Sequence, residues 1–429
     1  MTPARFAATC ALSAILAGCA APGTRDGMVG GAAAVAGPAP RFAASGPDAE
    51  EYGADLGFPI GDRTTFYSMP FLVGSHSHLD QVFESHPVRR AETPSRLARA
   101  ASEPALQYYY AGAAADVDRY LSRNATTGLI VARGESILLE RYQYGRNDRH
   151  RFTSWSMAKT VTAMLVGIAI AEGRIRSVDD PAATYVPGLA GTEYGRTSLR
   201  DLLQMSSGVR FLETYSGRDD VSRLAADTFL LRGAGGVEAV TPFNERAVPA
   251  GTKFSYASVE TQVLGLVLRN VVGRPVAEYL SEKIWQPMGA EADATWLVDR
   301  SGQESTYCCI NAVLRDYARL GLLLAHDGHW QGRQIIPAKW ILEATTVRPE
   351  QGHLRPGVAT PFLGYGYQTW IFPGERRTFA LLGIRGQTIL VDPARRLVLV
   401  QTAARRQASG GGPSELGALW RTITSTLGT

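Results

Sequence analysis

The sequence predicts a mixed α/β (α+β) fold in which one antiparallel sheet, made from both chain ends and flanked by helices, receives an inserted, mostly helical region. Three observations predict it. Strand-like runs lie early and late in the chain, helical spacing fills the middle, and 45% apolar against 20% charged residues in 429 suffices for one large core. The early strands are residues 128–134 and 135–142, two β-rich runs joined at a glycine and therefore a hairpin. The late strands are residues 365–372, 378–382, 387–391 and 397–402, with Pro393-Ala394-Arg395 as the last turn. Between them, residues 161–173, 198–205, 259–272, 276–285, 314–325 and 338–345 carry apolar side chains at helical spacing, and residues 415–427 close the chain as a helix. No internal repeat is visible.

The first residues look like an export signal. Arg5 precedes the apolar run 6–16, which is too short to span a bilayer, and Leu16-Ala17-Gly18-Cys19 follows. Leu-Ala-Gly-Cys resembles the bacterial lipobox, which implies cleavage before Cys19 and lipidation of its sulfur. Ala20 stands where an Asp would favour retention in the inner membrane, so the expected address is the outer membrane, facing the periplasm. The expected organisation is a signal at residues 1–18, an Ala/Gly/Pro-rich flexible tether at 19–50, and a catalytic domain at 51–429 whose helical region spans roughly 175–350. Folding is expected to start near Tyr52.

Once Cys10 leaves with the signal and Cys19 is acylated, Cys308 and Cys309 remain. Adjacent cysteines sit closer than the usual disulfide range, which predicts two buried thiols rather than a strained redox pair. Forty-four basic against forty acidic residues give a net charge of +4 with no basic block, so no nucleic-acid partner is expected; a small molecule is.

Ser156-Met157-Ala158-Lys159 opens an apolar helix, with Thr153 and Ser154 as N-cap candidates. Three residues apart on a helix means one face, so the hydroxyl and the amine can touch. A serine needs a base to become a nucleophile, and a lysine made partly neutral by burial supplies one. The helix N-terminus also offers N–H groups to a developing oxyanion. One hundred residues later, Tyr256 lies on a turn just before the 259–272 helix as a second proton-handling group. Gly383-Ile384-Arg385-Gly386-Gln387 then leads into a strand, and glycines there permit close approach of a substrate to the backbone.

Serine-x-x-lysine, then Tyr256-Ala257-Ser258, then a glycine-flanked strand resembles the serine β-lactamase and penicillin-binding-protein superfamily, class C-like, from about Ser75 onward. Residues 202–208 (LLQMSSG), 308–321 (CCINAVLRDYARLG) and 383–387 (GIRGQ) are most similar to 6-aminohexanoate-dimer hydrolases and related esterases of that fold. The resemblance implies a β-lactamase/transpeptidase-like sheet, Ser156 as nucleophile, Lys159 and Tyr256 as acid/base groups, and no cofactor or metal. It also implies an oxyanion held by the N–H groups of Ser156 and of Ile384 or Gln387, with Gly386 in the same turn. Tyr215 is similar to the family's substrate-side tyrosine, and Asp219 or Asp220 is expected near it. Two positions depart: Ile384 stands where penicillin-recognising members carry Lys or His, and Ser258 replaces the usual Asn. Both lost groups help hold a β-lactam, so a small linear amide or ester is the expected substrate, unless Arg385 replaces the lost cation.

Other readings are a β-lactamase or D-Ala-D-Ala carboxypeptidase, and a non-catalytic envelope lipoprotein that keeps the fold for binding. A zinc hydrolase is a further rival, because His76-Ser77-His78-Leu79-Asp80 resembles an H-x-H-x-D metal run. The absence of a Gly-x-Ser-x-Gly elbow removes the ordinary α/β-hydrolase. The protein is expected to be a monomer.

Overall fold

The structure is a computed structural model that describes residues 37–409 and 414–427. The export signal, Cys19 and most of the tether lie outside the described residues. Among the described residues no helix is long and apolar enough to cross a membrane.

The hairpin Thr126–Arg133 and Ser136–Tyr142 pairs antiparallel with the late strand Leu397–Ala403, which pairs with Gln387–Asp392 and then Phe379–Gly383. The sheet thus joins the two chain ends as expected. Alternate residues leave it on opposite faces. Leu129, Val131, Leu397 and Leu399 meet Leu416, Leu419 and Trp420 of the C-terminal helix Glu415–Thr426. Ile130, Ala132, Val398 and Val400 belong to the main core with the helix Leu314–Ala325. Gly321 lets that helix sit close, since a Cβ there would meet Ile389 at 2.9 Å.

Some expectations need correction. Residues 365–372 form two short strands, Gly364–Tyr365 and Trp370–Ile371, folded against each other, because the Tyr367–Gln368 turn between them is tied to the helical region. The site helix, Met157–Ala171, opens at the Ser156-Met157-Ala158-Lys159 motif as expected and ends two residues short of 173, and the second half of the 276–285 helix widens into a π-type turn, Ser281–Trp285. Ordered structure begins before residue 51. Arg41–Phe42 pairs parallel with Arg141 and Tyr142, and Ala98–Arg99 pairs parallel with the other end of that strand.

A second, four-stranded sheet carries the site: Ser85–Val88, Ala294–Leu297, Ile310–Ala312 and Phe152–Thr153, in that order. It delivers the chain to Ser156 just before the helix Met157–Ala171. That helix packs against the helix Ser258–Val272, which follows Tyr256. Residues 304–307 run buried between them, satisfied by both: Gln262 Nε2 donates to Glu304 O at 3.0 Å, and Thr162 Oγ1 to Thr306 O at 2.8 Å. Gly265 makes the passage possible, as a Cβ there would stand 2.1 Å from Thr306 Oγ1.

Candidate active site

The serine is presented by a sharp turn. Ser154 N donates to Ile310 O at 2.7 Å and its Oγ accepts from Ile310 N at 3.0 Å, which locks the turn to the second sheet. Trp155 then takes φ +42, a left-handed conformation that a bulky residue adopts only when its surroundings enforce it. Ser156 itself occupies the N-cap position with no side-chain cap bond. This corrects the expectation that Thr153 or Ser154 caps the helix: Thr153 is a strand residue and Ser154 is spent on Ile310. The Ser156 hydroxyl is left for Lys159, whose Nζ lies 3.0 Å away.

Lys159 is 1% exposed. Its Nζ donates to the Tyr307 carbonyl at 2.9 Å and stands 5.0 and 5.5 Å from the ring centroids of Tyr256 and Tyr307. Burial penalises the ammonium and pushes the lysine down to about 8, partly offset by the negative Glu213. At pH 7 about one-tenth of Lys159 is therefore an uncharged amine, far more than for an exposed lysine.

Tyr256 is half-buried beside Ser156, with its ring stacked on Trp370 at 5.3 Å. Its loop hangs on Met205: Ser255 N donates to the Met205 carbonyl at 2.8 Å and Ala257 N to its sulfur at 3.3 Å. The 202–208 motif is thus the bracket for this tyrosine. Burial and Glu213 raise the phenol well above its ordinary value, so it stays protonated, while its interaction with Ser156 lowers it.

Glu213 was not found from sequence. Its carboxylate accepts from Ser258 N at 2.7 Å, Ser258 Oγ at 2.8 Å and the Tyr215 hydroxyl at 2.8 Å. A lone acid among forty carries no pattern; its only signal is standing two residues before Tyr215. Asp219 holds the same loop through Thr214 N at 2.7 Å and Thr214 Oγ1 at 2.9 Å.

Ser156, Glu213, Tyr215, Tyr256, Ile384, Gly386 and Gln387 line one open cleft of about 1290 Å³. Gly383 fits directly against the serine turn, since a Cβ there would meet Ser154 O at 2.4 Å and Trp155 Cβ at 3.1 Å. The next residue, Ile384, follows at that contact. Three side chains named from sequence are otherwise engaged. Gln387 donates from Nε2 to Ala403 O at 2.6 Å and accepts Ala403 N at 3.1 Å, which fixes its amide within the sheet. Arg385 adopts φ +60, donates from Nη1 to the carbonyls of Arg405 and Arg406 at 2.8 Å each, and lies 3.7 Å from the Tyr67 ring centroid; it does not line the cleft. Ser258 is buried and bound to Glu213.

Cys308 and Cys309 form a disulfide with each other, against the expectation of two thiols; their burial, 3% and 0% exposed, is as expected. Adjacent residues can close this bond because Cys309 takes φ +73. Two residues of the zinc run, His78 and Asp80, have other partners, and His76 is buried. His78 Nδ1 donates to Gly74 O at 2.9 Å, Asp80 pairs with Arg151 at 2.6 Å, and burial pushes His76 down to about 3. Among the described residues no group of three or more metal-ligating side chains converges.

The Beta-lactamase family profile matches residues 113–418. The 6-aminohexanoate-dimer hydrolase of Paenarthrobacter ureafaciens is 27% identical over 311 residues, which cover 67% of this chain and 75% of that protein. Among solved structures, a Bacillus anthracis protein described as a candidate 6-aminohexanoate-dimer hydrolase superposes with a TM-score of 0.75 at 24% identity, covering 85% of this chain and 96% of that one. A family VIII carboxylesterase gives 0.55 at 18% identity, covering 71% and 93%. The chain belongs to the beta-lactamase family, within the serine β-lactamase and penicillin-binding-protein superfamily, and is a hydrolase.

Proposed function

We propose that the protein cleaves a small linear amide or ester through an acyl-enzyme on Ser156, in the manner of a 6-aminohexanoate-dimer hydrolase or a carboxylesterase. The observation that carries this reading is the contact of a buried, partly neutral Lys159 with the Ser156 hydroxyl at 3.0 Å. Lys159 takes the hydroxyl proton as Ser156 attacks the carbonyl carbon. The N–H groups of Ser156 and Ile384 face the oxyanion; the packing of Gly383 on the serine turn favours Ile384 over Gln387. Tyr256, still protonated, gives its proton to the leaving group, and water then releases the acyl chain with the same groups acting in reverse.

The absence of a cation at Ile384 argues against β-lactams, and the engagement of Arg385 with the Arg405 and Arg406 carbonyls means that it does not supply one. A site lacking two such partners loses about 1–3 kcal/mol for each, hence roughly ten- to hundredfold apiece. A fluorophosphonate probe should label Ser156, and Ser156→Ala should abolish labelling; a label elsewhere would overturn the nucleophile. On a panel of short esters, linear amides, D-Ala-D-Ala peptides and a chromogenic cephalosporin, an ester or amide should be turned over fastest. Cephalosporin turnover above both would make the protein a β-lactamase. The Leu16-Ala17-Gly18-Cys19 pattern supports export and lipid anchoring at Cys19 in the outer membrane. A mature protein whose N-terminal peptide begins before Cys19 would refute the anchor.

A further inference from the structure

We infer that the Cys308–Cys309 disulfide is a positioning device for Lys159, a proposal that rests on the reading of Lys159 as the base for Ser156. The pair sits between two anchors of the reacting groups. On its N-terminal side is Tyr307, whose carbonyl receives Lys159 Nζ at 2.9 Å and whose hydroxyl is fixed by Thr228 Oγ1 at 2.8 Å. On its C-terminal side is Ile310, which exchanges hydrogen bonds with Ser154 two residues before the nucleophile. The Tyr317 hydroxyl clamps that junction, donating to Phe152 O at 2.8 Å and Ile310 O at 2.9 Å. Only the two cysteines separate the acceptor for the base from the strand that sets the nucleophile.

The chain leaves the Ser305–Cys308 turn, closed by Cys308 N donating to Ser305 O at 2.9 Å, and enters the strand through Cys309 at φ +73, where a side chain is disfavoured. A covalent bond between neighbouring side chains removes the alternative rotations that would let this turn relax. The turn is further pinned by Trp296 Nε1, which donates to Cys308 O at 2.8 Å. With side chains 3% and 0% exposed, the sulfurs are poorly placed for thiol exchange with solutes, so the bond serves geometry rather than redox exchange. The i to i+3 spacing brings lysine near serine; the Tyr307 carbonyl decides where along its arc the amine rests.

The test compares wild type with Cys308→Ala/Cys309→Ala and with Cys308→Ala/Cys309→Gly. The second variant keeps a residue that accepts φ +73 and so protects the fold if the first is unstable. Single-turnover acylation by the fluorophosphonate, ester kcat and KM, and the pH profile are measured. Both variants should acylate about tenfold or more slowly, with KM within about twofold. The acid limb should move to lower pH, because Lys159 loses a carbonyl that favours its ammonium form. A loss of fold alone would not move that limb. Acylation and acid limb equal to wild type in either folded variant would overturn the positioning role. If Lys159→Ala acylates at the wild-type rate, it is the reading of Lys159 that fails; if Lys159→Ala is inactive and the cysteine variants are normal, only this proposal fails.

Discussion

Two turns meet at the cleft, and they present chemistry in opposite ways. At residues 156–159 the side chains do the work, on a helix whose geometry brings the hydroxyl and the amine together. At residues 383–387 the prominent side chains, Arg385 and Gln387, are spent on backbone groups of residues 403–406. A substitution in the first turn should therefore act through lost functional groups, and one in the second through displaced main chain or lost stability.

The largest expected effect is that of Lys159→Ala. Residues acting as one unit fail together, so turnover should fall by about 10³-fold or more, close to the loss in Ser156→Ala. Steady-state ester hydrolysis checks it, and full activity would dissolve the contrast between the turns. Next comes Gly383→Ala, which adds a methyl group 2.4 Å from the Ser154 carbonyl. The two turns must then move apart, and a shift of about 1 Å at reacting atoms costs on the order of a hundredfold in kcat. An unchanged kcat would show that their contact does not set the oxyanion geometry.

Glu213→Gln should act more gently and in a defined direction. The carboxylate's charge raises Lys159, so its removal lowers the lysine further below about 8 and carries the acid limb of the kcat/KM profile toward lower pH. A shift toward higher pH would contradict the assignment. The smallest effect on chemistry belongs to Arg385→Ala, which should leave KM within about threefold. Its cost should appear instead in a denaturant titration, as about 1–3 kcal/mol for each carbonyl left without its donor. A large rise in KM would place Arg385 on the substrate.

The same contrast explains what could be read before the structure. The helix Leu314–Ala325 was bounded correctly because its apolar positions follow the helical period without interruption. At the site helix the apolar period alone marks residues 161–173, and the first turn is legible only through Ser156-Met157-Ala158-Lys159, because Ser156, Lys159 and Thr160 place polar side chains there. Function interrupts the pattern where it is densest. The Tyr307 carbonyl left no trace, since a backbone acceptor can belong to any residue. The cysteine pair was misread because the usual spacing rule describes bridges between separate segments; here the left-handed Cys309 lets neighbours close on each other.

The margins of the large sheet have a consequence for solubility. On one side, the long strand Ser136–Tyr142 is covered at one end by Arg41–Phe42 and at the other by Ala98–Arg99, both running parallel to it. On the other side the last strand is the two-residue Gly364–Tyr365. A long strand with open amide and carbonyl groups is a template for a second molecule, and crowding makes that encounter frequent. Here a potential recruiter of strands is converted into an interior member by two short splints. Trimming the chain to residue 51, where its composition turns from small residues to large ones, would strip one splint away and expose Arg141 and Tyr142 to intermolecular β-pairing.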